Sequence, residues 1–264
     1  MEVKLNGKKA VISGSTTGIG FAIAKGLAKA GASVLLNGRS EERVAEAVKR
    51  LKQEVPGAEA CGFAADLSSS DGVNELIKYW PEADILVNNL GIFEPKGFFE
   101  ITDDDWEHYF QVNVMSAVLL SRHYAKGMKE KGWGRVLFNG SVTGGFYSGE
   151  MVHYGATKAA VLGLSRGLAE SLAKSGVTVN AFIPGPTKTE RNSVHFDHWA
   201  KESGKSFQEI EESLFEKDLS ASLLRRFIST EEVANMVVFL ASEQASAITG
   251  AALKVDGGIV RNLL

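Results

Sequence analysis

The sequence predicts an α/β fold: one doubly wound, mainly parallel seven-stranded sheet with helices on both of its faces. Short β-branched apolar runs alternate with longer segments of helical periodicity along most of the 264 residues, a pattern typical of parallel strands joined by helical crossovers. The runs are apolar throughout rather than at every second position, as expected of strands that are covered on both faces. No internal repeat or linker interrupts the chain, so residues 1–264 are interpreted as a single domain.

Five apolar runs are the clearest strands, and the helices are expected between them. The predicted strands are residues 10–12, 33–36, 83–87, 135–138 and 177–183, with 62–65 and 252–255 as weaker candidates. The predicted helices are residues 19–30, 40–54, 70–79, 103–131, 153–175 and 230–242.

The segment from about 187 to 225 breaks this alternation. It begins with polar residues and then carries Phe207, Ile210 and Leu214 at spacings of three and four, which form one apolar helical face. Two short helices forming a substrate-side flap would fit this pattern. The alternative is a surface elaboration that only packs on the domain.

Composition and charge argue against several classes of function. A net charge of −3 without any basic run gives no electrostatic footprint for nucleic acid or for a membrane surface. No segment has the ~20 apolar residues needed to span a bilayer, and the first residues lack the apolar run of a signal peptide. The single cysteine, Cys61, has no partner for an internal disulfide, and no metal site is predicted. A cytoplasmic protein is therefore expected.

A glycine-rich turn, Ser13-Gly-Ser-Thr-Thr-Gly-Ile-Gly20, lies between the first predicted strand and the first predicted helix. Glycine allows tight turns and a close approach of the backbone to a ligand. The free N–H groups and the dipole of the helix that follows favour an anion such as a diphosphate. The spacing is G-x-x-x-G-x-G rather than G-x-G-x-x-G, but its position between strand and helix predicts a dinucleotide site of the Rossmann type.

The end of the second predicted strand, Leu36-Asn-Gly-Arg-Ser40, favours NADP(H) over NAD(H). It lacks the carboxylate that would bind the ribose 2′-hydroxyl of NAD. Arg39 instead offers a permanently charged planar fork for a 2′-phosphate, and Ser40 adds a hydroxyl. The alternative makes Arg39 a solvated residue and Ser40 the N-cap of the next helix.

Two later strand ends are expected at the same crevice. Asp66-Leu67 follows the third strand, and Asn88-Asn-Leu-Gly91 follows the fourth. Ligands of open α/β sheets bind beyond the carboxyl ends of the strands. Asp66 could otherwise cap a helix, and the two asparagines could shape a turn.

Tyr154 and Lys158 stand four residues apart in a predicted helix, so their side chains share one face. A free tyrosine has a pKa near ~10 and is a poor acid-base catalyst at neutral pH. A cation beside the phenol favours the phenolate and makes the pair a candidate for proton transfer. The spacing alone is equally compatible with a half-buried tyrosine and a solvated lysine.

Taken together, these motifs resemble the short-chain dehydrogenase/reductase family. The matching residues, in family order, are Gly14-x-x-x-Gly18-x-Gly20, Asp66, Asn88-Asn-Leu-Gly91, Asn113, Ser141, Tyr154-x-x-x-Lys158, Pro184-Gly-Pro-Thr187 and Gly250-Ala-Ala-Leu-Lys-Val-Asp-Gly-Gly258. The resemblance covers nearly the whole chain except the 187–225 segment. Leu90 stands where the family usually has alanine. Ser13 replaces a usual threonine and keeps a hydroxyl that can bond to a neighbouring strand end.

The resemblance implies a role for each matching residue. Tyr154 would be the general acid-base and Ser141 would orient the substrate oxygen. Lys158 would hold the nicotinamide ribose and lower the tyrosine pKa, and Asn113 would hold a water linking Lys158 to solvent. An asparagine between two valines is otherwise an unusual choice for a helix interior. The cofactor contacts expected in this site are Gly14, Ser15, Thr17, Gly18, Ile19, Gly20, Arg39, Ser40, Asp66, Leu67, Asn89, Gly91, Tyr154, Lys158, Pro184, Gly185 and Thr187.

The expected reaction is reversible hydride transfer between the nicotinamide and a carbonyl or secondary alcohol carbon. Phe146, Tyr147 and Met151 follow Ser141 and could line the substrate. With the apolar face of the 187–225 segment they favour an apolar ketone or a 3-oxoacyl thioester. The alternative is that these side chains pack against the domain or a neighbouring subunit.

Two alternative functions and an oligomeric state are also considered. One is enoyl reduction or epimerisation, and the other is NADP(H) sensing without turnover, which the presence of Ser141, Tyr154 and Lys158 disfavours. The family implies a homodimer or homotetramer. The candidate contact across a two-fold axis is the apolar stripe formed by Val161, Leu164, Leu168 and Leu172.

Overall fold

The structure, a computed structural model, describes residues 2–145, 149–190, 193, 199 and 202–261. Its strands are β1 (Lys9–Ile12), β2 (Ser33–Gly38), β3 (Ala60–Ala64), β4 (Ile85–Asn88), β5 (Gly134–Asn139), β6 (Val177–Pro184), β7 (Thr187–Lys188), β8 (Ile228–Ser229) and β9 (Ala252–Val255). Seven of them form one parallel sheet in the order β3-β2-β1-β4-β5-β6-β9, and β7 pairs with β8. The predicted seven-stranded, doubly wound sheet is confirmed.

Helices cover both faces of this sheet. They are α1 (Gly18–Lys29), α2 (Glu41–Glu54), α3 (Ser70–Tyr79), α4 (Asp103–Phe110), α5 (Ser116–Lys131), α6 (Val152–Ser171), α7 (Phe207–Glu216) and α8 (Thr230–Leu240). One buried core lies beneath α1, α2 and α8, and a second lies beneath α3, α5 and α6. Burial on both faces explains why the strands are apolar throughout. Within the described part of the chain, no helix is both long and apolar enough to cross a membrane.

The helix predicted over residues 103–131 is interrupted. A π-helical stretch, Gln111–Met115, separates α4 from α5 and contains the buried Asn113. Such a stretch inserts an extra residue into the helical turn and is frequently found at functional sites. One continuous helix was predicted here, and the only local sign of an irregularity is Asn113 between two valines.

The apolar face of the 187–225 segment points into the protein. Ile210 and Phe215 of α7 are buried, and the Phe215 ring centroid lies 5.2 Å from that of Phe227. Lys188 Nζ lies 3.7 Å from the centroid of the Phe207 ring. Of the predicted face, Ile210 is buried in the domain, whereas Phe207 and Leu214 are partly exposed, and the flap stays a prediction. The second short helix expected there falls largely on residues outside the described ranges.

The apolar stripe of α6 also packs within the chain. Val161 and Leu172 are buried in the second core, and Leu164 and Leu168 pack against it while partly exposed. Val161 and Leu172 therefore serve the fold of the subunit, and the contact of this stripe across a two-fold axis stays a prediction.

Candidate active site

The glycine-rich turn adopts a backbone that requires glycine at three positions. Gly14 and Gly18 have φ angles of +60° and +59°, which side-chain-bearing residues rarely adopt. A Cβ atom at Gly20 would overlap the carbonyl oxygen of Gly14 and lie 2.5 Å from Asn89 Nδ2. The start of α1 therefore packs directly against the loop that follows β4.

Replacing Gly20 by alanine is expected to destabilise the protein by about 1–3 kcal/mol, because the new methyl group overpacks this contact. Nucleotide affinity should fall with it, since the turn must shift to make room. Denaturant unfolding and nucleotide titration measure the two effects. Gly167→Ala is the matched control, because a Cβ at Gly167 of α6 meets nothing within 4 Å. Equal stability and nucleotide affinity for the two variants would contradict the packing argument.

Ser13 and Asn89 tie the turn to the loop after β4. Ser13 Oγ accepts hydrogen bonds from the N–H groups of Asn89 and Leu90, both at 3.0 Å. The Asn89 side chain donates to the carbonyl oxygens of Ser13 at 3.1 Å and Gly14 at 2.8 Å. The expectation that the Ser13 hydroxyl bonds to a neighbouring strand end is confirmed.

Asn37, which the sequence did not single out, ties the turn to β2 and β3. Its side-chain nitrogen donates to the carbonyl oxygens of Phe63 and Ala65, each at 3.2 Å, and its Oδ1 accepts the Gly14 N–H at 3.3 Å. Its backbone N–H donates to Ser15 Oγ at 2.9 Å. The only local signal was a polar residue at the end of an apolar strand.

The N-terminus of α1 is built to accept an anion. The N-cap Thr17 makes no side-chain capping hydrogen bond, and the first turn contains no acidic residue. The Gly18 N–H instead donates to the carboxylate of Glu190 at 2.9 Å. This carboxylate stands where an anionic group binds at a helix N-terminus. The turn, the adjoining Ile19 and the stand-in anion fit the diphosphate of a dinucleotide.

The residues expected at the adenosine end lie on one edge of the site. Arg39 is exposed, whereas Ser40 is the N-cap of α2 and accepts the Arg43 N–H at 3.4 Å. The N-cap alternative for Ser40 therefore holds. Asp66 does not cap α3, because its Oδ1 accepts from the N–H of Ser68 at 3.0 Å and from its hydroxyl at 2.7 Å. Partial burial opposes ionisation of Asp66, but the Ser68 hydrogen bonds and the Arg39 charge lower its pKa.

Three of the four residues expected to perform catalysis, Ser141, Tyr154 and Lys158, lie together near the carboxyl end of β5, and Asn113 is the fourth. Tyr154 and Lys158 share one face of α6, with Lys158 Nζ 5.6 Å from the centroid of the Tyr154 ring. Ser141 Oγ accepts hydrogen bonds from the N–H of Thr143 at 3.2 Å and from its hydroxyl at 2.8 Å. The Ser141 side chain also hydrogen-bonds the Tyr154 phenol. A Cβ at Gly144 would lie 3.1 Å from the Lys158 backbone, so the serine turn packs tightly on α6.

Burial controls the acidity of both residues of the pair. It raises the pKa of Tyr154 to about 12, and the Ser141 hydrogen bond offsets only part of this effect. Burial also lowers the pKa of Lys158, which is 3% exposed, to about 8. The expected lowering of the tyrosine pKa by Lys158 is not found in this structure. The Lys158 ammonium donates a hydrogen bond to the Asn139 carbonyl oxygen at 2.7 Å.

Asn113 holds the loop after β4 beside Lys158. Its Oδ1 accepts the Ile92 N–H at 2.8 Å, and its Nδ2 donates to the Ile92 carbonyl at 3.1 Å and to Thr157 Oγ1 at 3.0 Å. A Cβ at Gly91 would lie 3.5 Å from both Asn113 Oδ1 and Lys158 Nζ. The contacts give Asn113 a tethering role, and its expected water-holding role stays a prediction.

Asn139 is a second residue that the sequence missed. Its carbonyl accepts from Lys158, and its Nδ2 donates to Asn89 Oδ1 at 2.8 Å. Since Asn89 in turn donates to Gly14, hydrogen bonds run continuously from Lys158 to the glycine-rich turn. Its Oδ1 is buried with no hydrogen-bond partner among the described residues. The available signal was an asparagine at the carboxyl end of a strand, where sites of this fold lie.

The remaining cofactor candidates differ in how far a ligand could reach them. Pro184 ends β6, and the Gly185 N–H donates to the Val255 carbonyl at 3.0 Å. Thr187 is buried in β7 and its hydroxyl donates to the Gly185 carbonyl at 2.8 Å. The Leu67 side chain is buried in the second core, so only its backbone can face a ligand.

The expected substrate wall is only partly described. Met151 is the N-cap residue of α6, three positions before Tyr154, whereas Phe146 and Tyr147 fall outside the described residues. Phe93, which the sequence did not indicate, places its ring centroid 5.8 Å from that of Tyr154 and is 39% exposed. An aromatic side chain from the loop after β4 therefore borders the reactive phenol.

Comparison with known proteins agrees with this geometry. Residues 14–260 match the sequence model of a family described as enoyl-(acyl carrier protein) reductase. The uncharacterized oxidoreductase YvaG of Bacillus subtilis is 45% identical over 263 residues and covers 100% of both chains. The 3-oxoacyl-[acyl-carrier-protein] reductase FabG of Aquifex aeolicus is 36% identical over 98% of this chain and 100% of its own. L-sorbose reductase from Gluconobacter frateurii, solved with NADPH and L-sorbose, has a TM-score of 0.92 and 34% identity over 100% of both chains. The chain therefore belongs to the short-chain dehydrogenase/reductase family of oxidoreductases.

Proposed function

We propose that this chain reduces a carbonyl to a secondary alcohol, reversibly, by hydride transfer from NADPH. The observation that carries the proposal is the grouping of Ser141, Tyr154 and Lys158 beside a turn whose helix end accepts an anion. The cofactor, when bound, supplies the hydride. The protein supplies binding, orientation and a proton at the Tyr154 hydroxyl.

Protonation favours reduction as the working direction. With a pKa of about 12, Tyr154 carries its proton at neutral pH and can donate it to a carbonyl oxygen as negative charge develops there. The Ser141 hydroxyl is positioned to steady the same oxygen. Oxidation of an alcohol requires Tyr154 in its phenolate form. A nearby positive charge favours the phenolate, and Lys158 provides one because it is protonated below about pH 8.

Arg39 supports NADP(H) as the preferred cofactor, because it is exposed at the end of β2 and close enough to lower the pKa of Asp66. Arg39→Asp is expected to lower the ratio of kcat/KM for NADPH to that for NADH by about 10- to 100-fold, through loss of a charged hydrogen bond. Lys29→Asp, with the same charge change at the far end of α1, is the matched control. An unchanged ratio in Arg39→Asp would contradict 2′-phosphate recognition.

Two candidate substrate classes are each supported by a specific observation. A 3-oxoacyl thioester is supported by the similarity to the Aquifex reductase and by the exposed Phe93 ring beside Tyr154. A polar ketose is supported by the full-length similarity to L-sorbose reductase.

The test is NADPH consumption, followed by absorbance, with an acetoacetyl thioester, L-sorbose and a crotonyl thioester. Oxidation of NADPH by either carbonyl substrate is the expected result. Activity with the crotonyl thioester alone would indicate enoyl reduction, the reaction named in the family description. Tight NADPH binding without turnover of any carbonyl in a wide panel would indicate a sensor. Assembly into a dimer or tetramer and a cytoplasmic location remain predictions.

A further inference from the structure

Glu190 places a carboxylate at the helix end that the proposed function assigns to the diphosphate of the cofactor. Its Oε2 accepts the Gly18 N–H at 2.9 Å, and its Oε1 lies 3.2 Å from Arg50 Nη1. The neighbouring Thr189 packs close to the same turn, since a Cβ at Gly18 would lie 3.6 Å from Thr189 Cγ2. Glu190 thus reaches the start of α1 from the chain segment that follows β7.

This carboxylate is charged at neutral pH. Partial burial of Glu190 opposes ionisation, but hydrogen bonds from the amides of Glu190 and Gly18 and the charge of Arg50 outweigh it and lower the pKa. The ion pair with Arg50 is weak because the two side chains are 44% and 51% exposed. The attraction between the negative charge of Glu190 and the N-terminus of α1 adds to the stabilisation from this ion pair.

A diphosphate and the Glu190 carboxylate compete for the same donors. Two anions at one helix end repel each other, and the Gly18 N–H has one hydrogen to donate. Arg50 gives the carboxylate a second partner that does not depend on Gly18. Glu190 can therefore leave the Gly18 amide and still keep its ion pair with Arg50.

Resting on the proposed cofactor site, we propose that Glu190 is an internal competitor of the cofactor diphosphate and thereby sets the affinity of the enzyme for NADPH. The carboxylate leaves the Gly18 amide when the diphosphate binds and returns to it when the cofactor leaves. Glu190 is therefore an affinity-determining residue that weakens binding, unlike the glycines and Arg39, which strengthen it.

The test compares NADPH dissociation constants, from fluorescence titration, for the wild type, Glu190→Gln and Glu190→Ala. Removal of the competing charge is expected to tighten binding about three- to tenfold in both variants. Glu54→Gln is the matched control, because Glu54 accepts from Arg50 Nε at 2.8 Å while Gly18 is bonded to Glu190. Its dissociation constant should stay within twofold of the wild type. Unchanged or weaker NADPH binding in both Glu190 variants would overturn the proposal.

A second measurement separates this inference from the proposed function. Titration with inorganic diphosphate, monitored at the Gly18 amide by nuclear magnetic resonance, needs no turnover and no nicotinamide. Tighter diphosphate binding in Glu190→Gln than in the wild type supports competition. If the wild type binds neither NADPH nor NADH, the proposed function is refuted, but this support for competition remains. Equal diphosphate affinity in the two proteins overturns the competition.

Discussion

Replacing Tyr154 by phenylalanine is expected to lower kcat for carbonyl reduction by about 10²- to 10⁴-fold while NADPH affinity stays within about twofold. The variant keeps the ring beside Phe93 and removes only the hydroxyl that hydrogen-bonds Ser141. The proton donor is then lost, whereas the turn that binds the diphosphate is untouched. Steady-state kinetics and NADPH titration measure the two quantities.

Tyr109→Phe is the matched control for this prediction. Tyr109 is a buried phenol near Tyr154, and its ring centroid lies 4.0 Å from that of His153. Its removal should leave kcat within about threefold of the wild type. Substantial residual activity in Tyr154→Phe, or an equal loss in both variants, would contradict the assignment of the proton donor.

Replacing Lys158 by methionine is expected to reduce kcat/KM strongly and, at the same time, to stabilise the protein. A pKa lowered from 10.5 to about 8 corresponds to a cost of up to about 3 kcal/mol for keeping the ammonium charged in the folded state. Methionine fills the same space without that cost, although it leaves the Asn139 carbonyl without its donor. A net gain of about 1–2 kcal/mol in the free energy of unfolding at pH 7 is expected.

The pH dependence of this gain follows from the direction of the pKa shift. Below about pH 8 Lys158 is charged in both the folded and the unfolded state, so the wild type bears the full cost. Between about pH 8 and 10.5 the unfolded state binds more protons than the folded state, and the wild type gains stability as the pH rises. The advantage of Lys158→Met should therefore be largest below pH 8 and shrink across this window.

Denaturant unfolding at several pH values measures this advantage. Lys126→Met, on the exposed surface of α5, is the control and should change the free energy of unfolding by no more than about 0.5 kcal/mol. A Lys158→Met protein less stable than the wild type at pH 7 would show that the Asn139 hydrogen bond outweighs the burial of the charge. If Lys158→Met is more stable and less active than the wild type, Lys158 serves the activity of the protein at a cost in stability.

The features predicted successfully from sequence are those written in local patterns. Continuous apolar runs identified the strands because both faces of this sheet are covered. The strand-turn-helix context of Gly14, Gly18 and Gly20 gave the anion-binding end of α1, which the structure displays through the Glu190 carboxylate. The four-residue spacing placed Tyr154 and Lys158 on one face of α6.

The features that sequence reasoning missed depend on contacts between distant segments. The side chains of Asn37 and Asn139 bond to partners as far as 28 and 50 positions away, and the only local signal is a polar residue at the end of an apolar strand. The apolar face of α7 was visible in the sequence, but the contact of its Phe207 with Phe227, at a centroid distance of 6.3 Å, was not. The pKa of Tyr154 was expected to fall because Lys158 is near in sequence, yet burial of the phenol raises it.

The most direct test of the account is the fate of hydride carried by NADPH deuterated at nicotinamide C4. With an acetoacetyl thioester or L-sorbose as substrate, one deuterium should appear on the carbinol carbon of the product alcohol for each NADPH consumed. Transfer of deuterium only to a carbon of the double bond of a crotonyl thioester supplied in a parallel reaction, or cofactor that binds and never transfers its deuterium to any carbonyl tested, would contradict carbonyl reduction at Tyr154.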